Sequence, residues 1–261
     1  MWLFPITTPG PAAELATRDF SSHIYVFELE LYAGNSKYYL GSPHFNDVDV
    51  SDHQRAIYRA KSITAIFTSI QRLSYSLIWG YDTSKIVFYY SDEDVHSFSL
   101  GVSDENIALE EMADPFKNQI VQQRTYVNQY HSYLNLAATD DLVSNVLILM
   151  NDAFNFAQYF YINLYKIVET IENDWGKQEI VQFSNVAKEA LEYLKSDNIK
   201  GYMNNYMASG LFSRHGFRNR QQAAPSIINP PPVDEIKKEL KRFINGWLNY
   251  KLNKTTITFS L

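Results

Sequence analysis

From Leu142 to Asn173 the chain sets apolar or aromatic residues on nearly every face of a helix, among them Leu147, Leu149, Phe154, Phe156, Tyr159, Phe160, Tyr161, Leu164 and Ile167. A helix that is apolar all round must be covered all round, so this segment is read as one long helix at the centre of a bundle. A membrane span is excluded by Asn145, Asn151, Asp152, Asn155, Gln158 and Asn163, which cut the run well below the roughly 18 uninterrupted apolar residues needed.

The N-terminal third has a different periodicity. Residues Ile24 to Leu31 alternate apolar positions against Glu28 and Glu30, the period of a strand. Gly34-Asn35 supplies a turn, and Lys37 to Leu40 returns as its partner. A second hairpin joins Lys85–Tyr90 to His96–Val102 through Ser91-Asp92-Glu93-Asp94. Between the hairpins, Ser51-Asp52-His53-Gln54 has capping-box spacing, and Ile57, Ala60, Thr64, Phe67, Ile70 and Leu77 follow a helical stripe. Asp114-Pro115 reads as a helix start, with Phe116, Ile120, Val127, Tyr130 and Leu134 on one face. Further helices are expected at Ile180–Lys195, Asn198–Phe212 and Asp234–Leu252, with a strand-like or disordered tail from Thr255. The consecutive prolines Pro230 to Pro232 separate the last helix from what precedes it. The fold class is therefore α+β. Residues 1–103 form a small antiparallel sheet with a helix, and residues 104–261 a predominantly helical bundle.

The chain has no cysteine, which excludes disulfides and thiolate chemistry. Its start, Met1-Trp2-Leu3-Phe4-Pro5, has neither the basic residues nor the apolar run of a signal peptide, so a cytoplasmic protein is expected. Nineteen tyrosines and sixteen phenylalanines suit helix contacts, subunit interfaces or base-stacking surfaces, and equally a Tyr-rich core. The tyrosine surplus on a helix apolar all round predicts a homodimer formed by the helical region.

Charge is distributed unevenly. Leu211 to Lys254 carries nine Lys/Arg and three Asp/Glu, whereas the remainder is strongly acidic. This asymmetry marks a candidate phosphate-facing surface, although a Lys-rich solvated helix face explains part of it. Its centre is Ser213-Arg214-His215-Gly216-Phe217-Arg218-Asn219-Arg220. There Arg214, His215, Arg218 and Arg220 are candidate phosphate ligands through forked guanidinium hydrogen bonds. The alternative is a helix end, with Arg214 and His215 bonded back to carbonyls and Gly216 left-handed.

Two other clusters have chemical meaning. His44, Asp47, Asp49, Asp52 and His53 offer metal-ligand types, but without fixed ligand spacing and beside a helix start that uses Asp for capping, so no metal site is assigned. Arg124 and His131 lie seven apart in one expected helix, which would set a phosphate-gripping cation beside a proton-transferring imidazole. That pairing is a sufficient kit for metal-free RNA cleavage. Arg18 and His23 form a second pair of similar spacing. Glycine-rich phosphate loops, the GxSxG elbow, zinc-protease spacing and the dinucleotide fingerprint are absent from the sequence, and no cofactor is expected.

From Leu164 onward the order of features resembles bacterial helical proteins of the HEPN-like type, many linked to phage defence or toxin–antitoxin loci. The matching pieces are Tyr165-Lys166-Ile167-Val168-Glu169, Arg214-His215-Gly216, the Pro230–Pro232 break and Trp247. The resemblance implies RNA as a partner and, in active members, an Arg-x4–6-His motif that cleaves RNA without metal, often completed across a dimer. This chain departs from the pattern within the matching region, where Arg214 and His215 are adjacent. Arg124 and His131 have the spacing but lie upstream of the long helix. Inactive relatives that bind RNA or protein partners imply the alternative of a non-enzymatic sensor or adaptor.

Overall fold

The computed structural model describes residues 1–7, 20–31, 35–74, 81, 85–91, 94–101, 104–117, 128–214 and 230–258. It is α+β, and the chain divides into two compact units, Met1–Ser144 and Asn145–Leu261, a boundary later than the change of periodicity at 103.

The first unit holds a five-stranded antiparallel sheet in the order β2-β3-β1-β4-β5. Its strands are β1 (Trp2–Pro5), β2 (Tyr25–Leu31), β3 (Asn35–Gly41), β4 (Lys85–Ser91) and β5 (Asp94–Ser99). Both expected hairpins form, with Phe27 opposite Tyr39 in one and Phe88 opposite His96 in the other. The N-terminal strand joins them, Leu3 facing Gly41 on one side and Val87 on the other. Trp2, Leu3 and Phe4 are all buried, the pattern of a strand covered on both faces rather than of an alternating one. On one face Leu3, Leu29, Tyr39 and Val87 cluster under Tyr25, Phe27 and Tyr89. Gly41 makes room there, because a Cβ at this position would lie 2.2 Å from the Tyr25 ring.

Helix α1 (Pro43–Asn46) is capped by Ser42, and α2 (His53–Ser74) packs against β1 and β4. The stripe of Ile57, Ala60, Thr64, Phe67 and Ile70 is buried as its spacing predicts, while Leu77 lies outside the described residues. The expected cap is displaced. Asp49, not Ser51, accepts from the Ser51 backbone N–H at 2.8 Å and starts a 3-10 turn, Val50–Asp52, that leads into α2. A carboxylate reaches the amide two residues on through a local Asx turn, so Asp49 takes the Ser51 N–H.

Helices α3 (Glu105–Ala113) and α4 (Gln129–Thr139) pack on α2. The helix expected to start at Asp114 is not formed there. Asp114 ends α3 with φ −146° and ψ 77°, since the following Pro115 disfavours helical backbone at the residue before it. Asn128 is extended, with φ −153°, and its side chain accepts from the His131 N–H at 2.9 Å. The helix that carries His131 thus starts at Gln129, and Ile120, Arg124 and Val127 of the expected helix lie outside the described residues.

The boundary between the units falls within α5 (Asp141–Asn155). Beyond it the single long helix of the sequence reading is broken. Phe156 is extended, a 3-10 turn covers Ala157–Tyr159, and α6 runs from Phe160 to Trp175. The break lets the two halves bury different faces and leaves Phe156 and Tyr159 about half exposed at the turn, 47% and 50%. Gly176, at φ 82°, ends α6 as expected of a residue free to adopt positive φ.

The other expected helices are also subdivided. Ser184 caps a new helix, splitting Ile180–Lys195 into α7 (Lys177–Phe183) and α8 (Asn185–Leu194). Asn205, also extended, separates α9 (Asp197–Asn204) from α10 (Tyr206–Ser209), which a 3-10 turn, Gly210–Phe212, continues. The last helix, α11, spans Val233–Thr258, so the tail expected from Thr255 to be strand-like or disordered is helical to Thr258. Helix α11 packs chiefly on α8 and buries Ile236, Leu240, Phe243, Ile244, Trp247 and Leu248. No described helix is long and apolar enough to cross a membrane.

Candidate functional site

In the second unit, α6 and α9 enclose a cleft of about 250 Å³ whose walls include Tyr165, Glu169, Glu172, Lys195 and Lys200. Arg214 reaches the same tyrosine. Its guanidinium carbon stands 3.3 Å from the Tyr165 ring centroid, a stacked cation–π contact. Two backbone features hold it there. Gly210, at φ 55°, turns the chain after α10, and the Arg214 N–H then donates to the Met203 carbonyl at 2.8 Å. Ser213 Oγ donates to that carbonyl as well, so this stretch is anchored to the end of α9.

The charges of the cleft are unequally committed. Lys195 Nζ lies 2.6 Å from both carboxylate oxygens of Glu172, and Lys177 approaches the same group at 3.4 Å. Burial pushes the Glu172 carboxyl up, but the hydrogen bonds and charges of Lys195 and Lys177 outweigh it and hold the group below the usual carboxylate range. The Tyr165 hydroxyl donates to Glu169 at 2.9 Å. Among the described residues, no carboxylate pairs with Lys200 or Arg214. A stacked guanidinium keeps its N–H edge free, which is the geometry for forked hydrogen bonds to an oxyanion.

Of the predicted phosphate ligands only Arg214 can be placed. His215, Arg218 and Arg220 lie outside the described residues. Arg214 bonds back to a helix carbonyl through its backbone, as the helix-end reading requires, yet its side chain is spent on Tyr165 rather than on a carbonyl. Tyr165, noted in the sequence only through the HEPN-like pattern, meets Arg214 across about fifty residues of chain, and its hydroxyl holds Glu169 of the same pattern. Lys200 was missed, because a lysine on a short amphipathic helix has no signal of its own.

The first unit contains a separate group of three imidazoles. His23 Nδ1 and His44 Nε2 are 3.0 Å apart, sharing one hydrogen bond, and the His131 ring stacks on His23 at 5.9 Å between centroids. Phe116 sets its ring edge-on to both His23 and His44. Burial, with the neighbouring His131, pushes His23 down to about 4, the Asn135 side chain opposing weakly. Burial, His23 and the Arg59 guanidinium push His44 down to about 3, opposed by Asp114. His131 is half-buried and its imidazole is lowered by burial. Its proposed partner Arg124 is outside the described residues.

The acidic cluster around His44 is dispersed. Asp49 caps the 3-10 turn, Asp52 pairs with Arg55 at 3.1 Å, His53 stacks on Phe98, and His44 faces His23. Among the described residues no three His, Asp or Glu side chains converge so as to hold a metal ion. Comparison with protein-family models, curated proteins and solved structures found no match for this chain.

Proposed function

We propose that the protein binds single-stranded RNA, as a HEPN-like protein of bacterial defence or toxin loci would, and that Arg214, stacked on a tyrosine that lines the cleft of the second unit, is its principal phosphate contact. The observation that carries this reading is the Arg214–Tyr165 stack, with the guanidinium held at 3.3 Å and free of any described carboxylate. Lys200 in the same cleft supplies a second uncommitted cation, and the following arginines of the chain extend the positive run. A side chain already stacked and tethered loses little freedom on engaging a phosphate.

The test is fluorescence anisotropy of a labelled single-stranded RNA across a range of salt concentrations. Arg214→Ala should weaken binding about tenfold and make the log–log salt slope shallower by about 0.7, the value of one phosphate contact on a single strand. Unchanged affinity and slope would overturn the reading in favour of the adaptor.

Cleavage is a second part of the proposal, supported by His131. It is kept neutral by burial, so it can accept the proton of a 2′-hydroxyl at neutral pH. RNA cleavage should then persist in EDTA and vanish in His131→Ala. Cleavage that survives this substitution, or that EDTA abolishes, would leave binding alone. The same reading takes the assembly as a two-fold homodimer formed by the helical region. Val181, Phe183 and Val186, each at least 40% exposed on α7 and α8, support it as an apolar surface.

A further inference from the structure

A second cavity, of about 300 Å³, opens in the same unit and is walled by Phe154, Phe160, Tyr161, Tyr202 and Phe212, with Lys237 among its lining residues. Five of its eleven lining residues are aromatic. The Tyr161 and Tyr202 rings meet at 5.4 Å and form one wall together. Lys237 Nζ stands 5.3 Å from the Phe154 ring centroid and 5.8 Å from that of Phe160, and no described carboxylate pairs with it. Lys241 lies over Phe154 as well, at 5.8 Å. The pocket therefore combines aromatic faces with the Lys237 ammonium.

It is also the neighbour of the Arg214 cleft. Tyr161 and Tyr165 are one helical turn apart on α6, about 6 Å along the axis. Tyr202 is followed directly by Met203 and Asn204 of the cleft, and Phe212 lies two residues before Arg214. The two cavities thus share walls on α6 and α9.

We propose that this aromatic pocket receives one unstacked base of a single-stranded RNA whose adjacent phosphate lies on Arg214, with Lys237 on the phosphate to the other side. The proposal rests on the RNA-binding reading and deepens it. Aromatic walls accept any base through its flat face, so the pocket adds affinity and a requirement for unpaired nucleotides rather than sequence choice. An apolar peptide side chain would fill the same space, but it would leave Lys237 and the Arg214 cleft without an anionic partner. Charge complementarity favours the nucleotide.

Anisotropy with a short labelled RNA and with the same RNA carrying one abasic ribose, moved position by position, tests this. One abasic position should weaken binding about tenfold. Phe212→Ala, at a residue already 40% exposed and with an unchanged thermal melt as its folding control, should reduce the intact RNA to that level and leave the abasic RNA unchanged. Lys237→Gln should weaken both RNAs by the same factor, as should Arg214→Ala. If every abasic RNA binds as well as the intact one, and Phe212→Ala alters neither, the base pocket is overturned while an effect of Arg214→Ala keeps the RNA-binding reading. If no RNA binds the unaltered protein, both fall.

Discussion

Inside the first unit the imidazoles of His23 and His44 share a hydrogen bond in a site where both are at least 95% buried, and the ordinary value of 6.5 falls to about 4 and about 3. The folded state holds them neutral, while the unfolded chain protonates them near 6.5. Between these limits the unfolded state binds more protons, so stability falls as pH falls from about 6.5 towards 4, by about 1.4 kcal/mol per pH unit for each imidazole. Thermal melts from pH 7.5 to pH 4.5 should show this fall, and His44→Gln should flatten it. A melting temperature that does not move over that range would contradict the burial. Close by, Glu111 is fully buried and accepts from Arg59 and from Arg55, and Arg59 also donates to the His44 carbonyl at 2.9 Å. Glu111→Leu leaves the Arg59 guanidinium buried without its partner, for which a loss of about 3–5 kcal/mol is expected in chemical denaturation. A loss below 1 kcal/mol would mean that water replaces the pair.

The elements of the second unit meet at a close contact between α11 and α8. Gly246 lies where a Cβ would come within 2.8 Å of the Ala187 Cβ and 3.3 Å of the Trp175 ring. Glycine to alanine inside a helix ordinarily stabilises by about 1 kcal/mol. Here the Ala187 methyl cannot swing aside, so the backbones must separate, and overpacking of this kind costs about 1–3 kcal/mol. Gly246→Ala should therefore be neutral to destabilising by about 2 kcal/mol in a urea titration, and adding Ala187→Gly should recover part of the loss. A clear stabilisation would show that the helices sit farther apart. The ring that meets Gly246 is also stacked on Tyr250 at 5.0 Å between centroids and touches Phe183, so α6, α7 and α11 share one aromatic seam.

At the scale of the molecule, the chain is two compact units, each with its own core and its own polar cluster. The imidazole group belongs wholly to the first and the Arg214 cleft wholly to the second, so binding and acid sensitivity should separate. His44→Gln should leave RNA affinity unchanged, while Arg214→Ala should leave the acid dependence of the melt unchanged. For the proposed homodimer, light scattering at micromolar concentration should give twice the 30.2 kDa chain mass. A mass of one chain would refute it, and with it any ribonuclease site completed across the dimer.

Periodicity alone determined the fold class, both hairpins and the buried stripe of α2, because strand and helix faces are written locally at periods of 2 and 3.6. The uneven distribution of charge located Arg214 within the positive run. Helix ends were poorly legible, since whether Asp49 or Ser51 caps the turn that leads into α2, or whether Phe156 interrupts an apolar run, depends on competition among nearby groups and on what covers each face. The central place of β1 was not legible at all, for its partners lie some forty and eighty-five residues away in sequence. The same holds for the pairing of His23 with His44 and for the stack of Arg214 on Tyr165. Each is a contact between distant segments, and only the tertiary structure decides which distant segments meet, because burial of whole faces, not the local pattern, selects the partner.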